Sequence, residues 1–466
     1  MQNGGRTGGS AALMLAVIAF VSLMDGLDAS IVNVALPAMA KEFGTDTGTI
    51  AWVAVIYFVM LAGLIVAFAR VAKNGPIKGV LLAGLALFTA GSLFCGVSAS
   101  LEMLLAFRAV QGVGAAMMAA AVPMACVRHL PPSDLGLGMG VITLGCSVGF
   151  ALGPAAGGLI TDLISWHWIF LINVPLGLAI VPLALKAIPA DEAQGDRRRI
   201  DVAGAALLFS AVMCGIAAVE RAPYPDGSIW VITAAVVCAT SLAAFVAVEL
   251  RRADPLLDLR VFRHWRFDSV LVAYTVSNLV YMGMLYLLPF YMGVCMGLSP
   301  SETGMYILIS PLLTLLLCVP IARWSDRTGR RAFAVVSCLV LMAGCLTMAF
   351  LAPGSMALPL VATLVCMGLM WALAGGPMAS RIIENTEGES REMGSSIMSE
   401  FIYLGGALGT ALFAMLFTLG SGSGGISFSD LPPDLFLDGF VFASVAGAAL
   451  AAATAVLSLA VRDQRT

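Results

Sequence analysis

The chain has 466 residues, of which 60% are hydrophobic and only 11% charged, with a formal net charge of -3. Soluble domains carry about 25% charged residues, so this composition excludes an ordinary soluble enzyme, and the small net charge offers no basis for a nucleic-acid partner. The ten cysteines all fall in apolar segments without CxxC or His-paired spacing, which supports neither a disulfide framework nor a metal or cofactor site.

Apolar runs long enough to cross a bilayer recur at about 12–37, 49–69, 79–98, 103–127, 137–160, 167–188, 202–219, 229–248, 269–295, 302–322, 332–352, 356–380, 394–419 and 438–461. That makes fourteen expected spans. The first has the outline of a signal peptide, because Ala38-Met39-Ala40 resembles a cleavage site. Its leading region offers only Arg6, however, and Asp25 and Asp28 interrupt the apolar stretch, so it reads as an uncleaved span. With the N-terminus in the cytoplasm, all but Lys41, Arg221 and the intramembrane Arg108 of the 25 lysines and arginines fall on the cytoplasmic side. The positive-inside bias therefore places both termini in the cytoplasm.

The polar connections at 187–199 and 249–266 flank a pair of spans at about 202–248, with six spans before the pair and six after. The expected fold is an all-α integral membrane protein of two six-helix bundles, at 1–190 and 266–466, with two extra helices and their linkers at 191–265. The two sets of six resemble each other. A basic loop follows the second span of each, at 68–79 and 321–331, and each fifth span is glycine-rich. Parallel repeats of this kind are a transporter architecture.

In the fifth span, GCSVGFALGPAAGG places Gly145, Gly149, Gly153 and Gly157 at a four-residue period, with Pro154 and Gly158 beside them. The period sets the four in one slowly drifting row. In lipid such a row lets a second helix approach closely, so it is expected to be a packing surface.

An ionisable side chain at mid-membrane costs about 2.5–3.5 kcal/mol on insertion scales, so each needs a reason. Asp25 and Asp28 share a face of the first span, Arg108 and Gln111 share one on the fourth, and Glu400 lies in the thirteenth. Asp28 and Arg108 are natural partners. One reading makes them a proton-coupling site; the other makes them a static ion pair that locks the bundle. Asp25, Gln111 and Glu400 are candidates for a substrate cavity, although Glu400 could instead snorkel to the interface. Tyr274, Asn278 and Tyr281 recur at helical spacing in the ninth span. That face either lines a cavity or bonds neighbouring helices. His167, between Trp166 and Trp168, reads as part of an interfacial aromatic belt.

Four segments carry a family resemblance: LDASIVNVALP (27–37), RAVQGVGAA (108–116), GFALGPAAGG (149–158) and WHWIFLINVP (166–175). With them the whole chain resembles the major facilitator superfamily, specifically its fourteen-span drug:proton antiporter branch. The resemblance implies alternating access between two six-helix bundles and proton-driven export of amphipathic organic compounds. It also implies coupling roles for Asp28 and Arg108, and a sealing role for the glycine-proline helix.

Two departures stand out. The expected gating loop after the second span usually carries an acidic residue where this chain has Lys73, whereas the later copy keeps Asp326, Arg327, Gly329, Arg330 and Arg331. In the thirteenth span, Ile402 and Tyr403 replace an expected Arg-Gln pair, with Glu400 just before them. The expected function is proton-coupled antiport of small organic molecules or drugs across a bacterial cytoplasmic membrane, by a monomer whose partners are substrate, protons and lipid. A dedicated exporter or importer of one metabolite is the alternative. No HExxH, GxSxG or GxGD-type motif points to an enzyme.

Overall fold

The computed structural model describes residues 4–131, 134–189, 202–224, 228–252, 259, 262, 265–350, 357–384 and 390–460. The basic residues Arg197 to Arg199, Arg260, Arg263, Arg462 and Arg465, and His264, lie outside them. The described residues form α1 (Gly4–Phe43), α2 (Thr47–Asn74), α3 (Ile77–Gly96), α4 (Leu101–His129), α5 (Leu135–Leu163), α6 (Trp168–Leu171), α7 (Asn173–Ala187) and α8 (Val202–Arg221). They continue with α9 (Ser228–Arg251), α10 (Trp265–Cys295), α11 (Pro300–Ile307), α12 (Ile309–Thr328), α13 (Arg330–Ala349), α14 (Ala357–Glu384), α15 (Ser390–Ser421) and α16 (Pro433–Ala460). By length and composition they supply 14 membrane-crossing segments, the number read from the sequence.

Several helices run past the apolar stretches because capping, not hydropathy, sets their ends. Asp46 caps α2 by accepting from Thr49 N at 2.8 Å, and Ser100 caps α4 by accepting from Met103 N at 3.2 Å. Ser299 and Glu302 form a reciprocal capping box on α11.

Two spans expected as single helices are each divided, at Ile172 and at Leu308. Proline explains both. Pro175 and Pro311 have no N–H to give the carbonyl four residues earlier, which is Leu171 and Ile307 respectively, and those are the last residues of α6 and α11. Between α12 and α13 the chain turns at Gly329 with φ of 99°, a backbone state that side chains rarely adopt.

Within the first six spans, α1 packs on α5, and α4 on α2 and α3; within the last six, α13 packs on α14 and α16, α10 on α15, and α12 on α14. The two groups meet along α2 against α15 and α5 against α11, while α8 pairs with α9 and lies against both α2 and α15. The glycine row of α5 makes the α1 contact close. A Cβ built on Gly145 would stand 2.6 Å from Ala19 O, and one on Gly157 2.6 Å from Ile31 O. At Gly149 and Gly153 it would run into Leu23 O and Ser30 Oγ.

An even number of crossings leaves both termini on one side. At the opposite end the two bundles touch backbone to backbone, with Gly158 against Pro300 O and Gly304 against Pro154 O. The α1–α2 connection collects further ties there. Tyr286 of α10 donates to Thr47 O, Phe428 N donates to Thr45 O at 3.0 Å, and Tyr224 donates to Asp46 Oδ1 at 2.7 Å.

Candidate functional site

Two buried charges, Asp28 and Arg108, meet inside the first bundle. Arg108 Nη1 donates to Asp28 Oδ2 at 2.7 Å and to Gln111 Oε1 at 2.7 Å, and Arg108 Nε donates to Val53 O at 3.0 Å. Gln111 Nε2 donates to Asp28 Oδ1 at 2.8 Å and to Ser92 Oγ at 2.8 Å, and Asn173 Nδ2 reaches Asp28 Oδ1 at 3.2 Å. The guanidinium also lies 4.4 Å from the Tyr57 ring centre and 5.4 Å from that of Phe170. Asp28 and Arg108 are 0% and 1% exposed. One carboxylate thus draws donors from α4 and α7, and α2 and α3 hold those donors in place. A buried ion pair survives desolvation only when its remaining lone pairs and protons are met in this way.

Asp25, one turn earlier on α1, faces a different set. Its Oδ1 accepts from Tyr57 of α2 at 3.1 Å and its Oδ2 from Tyr403 of α15 at 3.3 Å. It therefore sits at the seam between the bundles, held by one phenol from each. Glu400, one turn before Tyr403 on α15, is 5% exposed, and its Oε2 has no hydrogen-bond partner among the described residues. It does not snorkel to the interface.

Asn278 and Tyr281 of α10 are buried within the second bundle. Asn278 Nδ2 donates to Ile402 O at 2.5 Å, the Tyr281 hydroxyl lies 3.3 Å from Ser310 Oγ, and Trp371 meets the rings of Tyr274 and Tyr281 edge-on. These contacts bond α10 to its neighbours. In the later basic loop, Arg327 is exposed, Gly329 makes the turn and Arg331 donates to Leu459 O of α16. The side chains of Lys73, Asp326 and Arg330 lie outside the described residues.

Sequence reasoning paired Asp28 with Arg108 but missed Asn173, Ser92 and Tyr57, which complete the two carboxylate environments. Asn173 was the detectable one: it is the sole polar residue of the apolar run IFLINVPLGLAI.

This arrangement has relatives. The model of the Major Facilitator Superfamily matches residues 18–410. The chain belongs to that superfamily. As a member it is a multi-pass membrane transporter and not an enzyme. The Multidrug resistance protein B homolog of Mycobacterium tuberculosis is 30% identical over 409 residues, covering 86% of this chain and 75% of that protein. The Riboflavin transporter RibZ of Clostridioides difficile is 26% identical over 408 residues, covering 87% and 88%. Among solved structures, a bacterial homolog of the human lysosomal transporter Spinster, in an inward-facing and unoccupied conformation, superposes with a TM-score of 0.70. At 14% identity over 97% of each chain, that likeness speaks for the major-facilitator fold alone.

Proposed function

We propose that this transporter exports small amphipathic organic compounds or drugs in exchange for protons, by alternating access of bundles 1–190 and 266–466 about the linker pair 191–265. The observation that carries the reading is the Asp28–Arg108 pair, with Gln111 and Asn173 on the same carboxylate. A carboxylate with three converging side chains can trade its arginine for a proton when the helices around it shift, and each exchange gives the bundle a reason to repack. The multidrug-resistance name of a 30% identical relative supports drugs as cargo. The basic-residue bias supports cytoplasmic termini and a bacterial cytoplasmic membrane, and with that orientation the closed end is the external one.

The test is efflux of a panel of cationic, neutral and anionic dyes from cells, with and without an uncoupler, in wild type and Asp28→Asn at equal membrane abundance. Export of several compounds, abolished by the uncoupler and by Asp28→Asn, is expected. Undiminished export by Asp28→Asn would sink the coupling role.

A second reading follows from the similarity to a riboflavin transporter: movement of one metabolite. Transport confined to a single solute across the same panel, extended to vitamins and cofactor precursors, would establish it instead.

A further inference from the structure

The hairpin of α8 and α9 is fastened to one bundle and laid on the other. Its α8 grips α2 at two levels. A Cβ on Gly63 would stand 2.7 Å from Phe209 Cδ2, and near the closed end Trp52 donates a side-chain hydrogen bond to the buried Glu220. Just past α8 comes Tyr224, which is 7% exposed. Its hydroxyl donates to Asp46 Oδ1 at 2.7 Å, beside Gly48, where a Cβ would stand 2.6 Å from that hydroxyl. Asp46 and Gly48 belong to the first bundle. The ring of Tyr224 and the carbonyl of Pro223 rest on the second, since a Cβ on Gly424 would lie 3.6 Å from Tyr224 Cδ1 and from Pro223 O. Thr418 of α15 completes the junction, with its Oγ1 3.5 Å from the Cβ position of Gly48. The Arg221 guanidinium stacks over the ring, 4.6 Å from its centre.

We propose that Tyr224 is a positioning residue of the transport cycle, and that the linker pair is a strap which holds the bundles together at the closed end. The bond to Asp46 fixes the angle of the phenol, and the fixed ring then bears on Gly424 and Thr418. When the bundles part at this end, the hairpin stays with α2 and its contact with the second bundle is lost. A contact made in only one of two states shifts the balance between them, whereas one kept in both does not. Tyr286 and Phe428 tie the α1–α2 connection to the second bundle directly, through Thr47 O and Thr45 O. Tyr224 adds a tie that exists only because the linker pair is there. The inference rests on the reading of alternating access, but not on proton coupling or on the cargo.

Thr303 of α11 is 3% exposed at the same end, next to the contact of Gly304 with Pro154 O. The experiment introduces Thr303→Cys into the purified full-length protein. Its reaction with a polar thiol reagent is followed by mass spectrometry of that peptide, which sets the ten native cysteines aside. The rate reports the population open at this end and needs neither gradient nor substrate. Tyr224→Ala should raise it about tenfold, a modest part of what a buried aromatic side chain contributes. Tyr224→Phe, which keeps the ring and loses its bond, should raise it less. Gly424→Ala should lower it about two- to fourfold, because the added methyl meets Tyr224 and Pro223 at ordinary contact distance and tightens the strap. Opposite signs from the two sides of one contact are not what general loosening produces. Trp230→Ala on α9, at a site 70% exposed, is the control and should change nothing. Unchanged access in the Tyr224 and Gly424 variants, with faster reaction in Tyr286→Phe, overturns the proposal and leaves alternating access standing. Unchanged access in every variant overturns both. Faster reaction in Gly424→Ala, or a rise in Tyr224→Ala matched by equally faster thermal inactivation, also overturns the proposal and makes the hairpin a structural prop.

Discussion

Replacing Gly149 by alanine adds one methyl group where α5 meets the backbone of α1. The new Cβ runs into Leu23 O and lies 2.7 Å from Leu27 N, where ordinary contact begins near 3.4 Å. Both obstacles are backbone, so no rotamer change relieves them, and α1 must retreat by about 0.7 Å at Leu27. Opening a packed surface by 0.5–1 Å forfeits roughly a quarter to a half of its dispersion energy, and overpacking of this kind costs about 1–3 kcal/mol. The same helix supplies the control, because a Cβ on Gly140 meets nothing within 4 Å. Whatever alanine gains over glycine in backbone entropy is common to the two positions and cancels in the comparison. The difference corresponds to about a 5- to 150-fold change in equilibrium. Membrane proteins unfold irreversibly, so the assay is the rate of thermal inactivation of the purified variants at one temperature. Gly149→Ala should decay several-fold faster than Gly140→Ala and exchange substrate more slowly, with binding retained. Equal decay of the two variants would show that the row is not under packing constraint, and the account of α5 would be wrong.

Three further outcomes are expected. Asp28→Asn leaves Arg108 buried without its counter-charge, a loss of about 3–5 kcal/mol; Asp28→Asn with Arg108→Gln should recover most of the thermal stability and none of the transport, and a double variant no more stable than the single would contradict this. Asp46→Ala removes both the α2 cap, worth about 0.5–2 kcal/mol, and the acceptor of Tyr224, so it should raise cysteine-reagent access at the closed end more than Tyr224→Phe does; the reverse order would mean that the cap has no part in closure. Asp326→Asn should shift the balance of access between the two sides, and Lys73→Asp should move it toward closure on the terminus side; access unchanged in both would reduce the basic loops to topology signals.

The number of spans and the Asp28–Arg108 pair were legible because charge in an apolar run is conspicuous and costly, and each such residue demands a partner of opposite sign. The rest of the site was not legible for the converse reason. Ser92, Tyr57 and Asn173 carry no charge, and their partners Gln111, Asp25 and Asp28 lie on other helices at separations of 19, 32 and 145 residues. Glu400 was visible as a charge, but its depth was not, because hydropathy cannot distinguish a side chain that reaches the interface from one enclosed by neighbouring helices. The divided spans were latent in Pro175 and Pro311. Other membrane-span prolines, such as Pro123 and Pro154, lie inside unbroken helices, so proline alone could not tell where a span would divide.

The placing of α8 against both α2 and α15 makes the molecule's two flanks unequal. On that flank the line where the bundles meet is roofed by protein. On the other, α5 meets α11 and α12, and Leu144, Leu152 and Leu159 of α5 and Leu312, Leu316 and Val319 of α12 are exposed. Lipid tails therefore lap against one edge of the moving joint and are held off the other. Changes in acyl-chain order or lateral pressure act on a single edge, and an oily molecule dissolved in the bilayer meets one doorway rather than two.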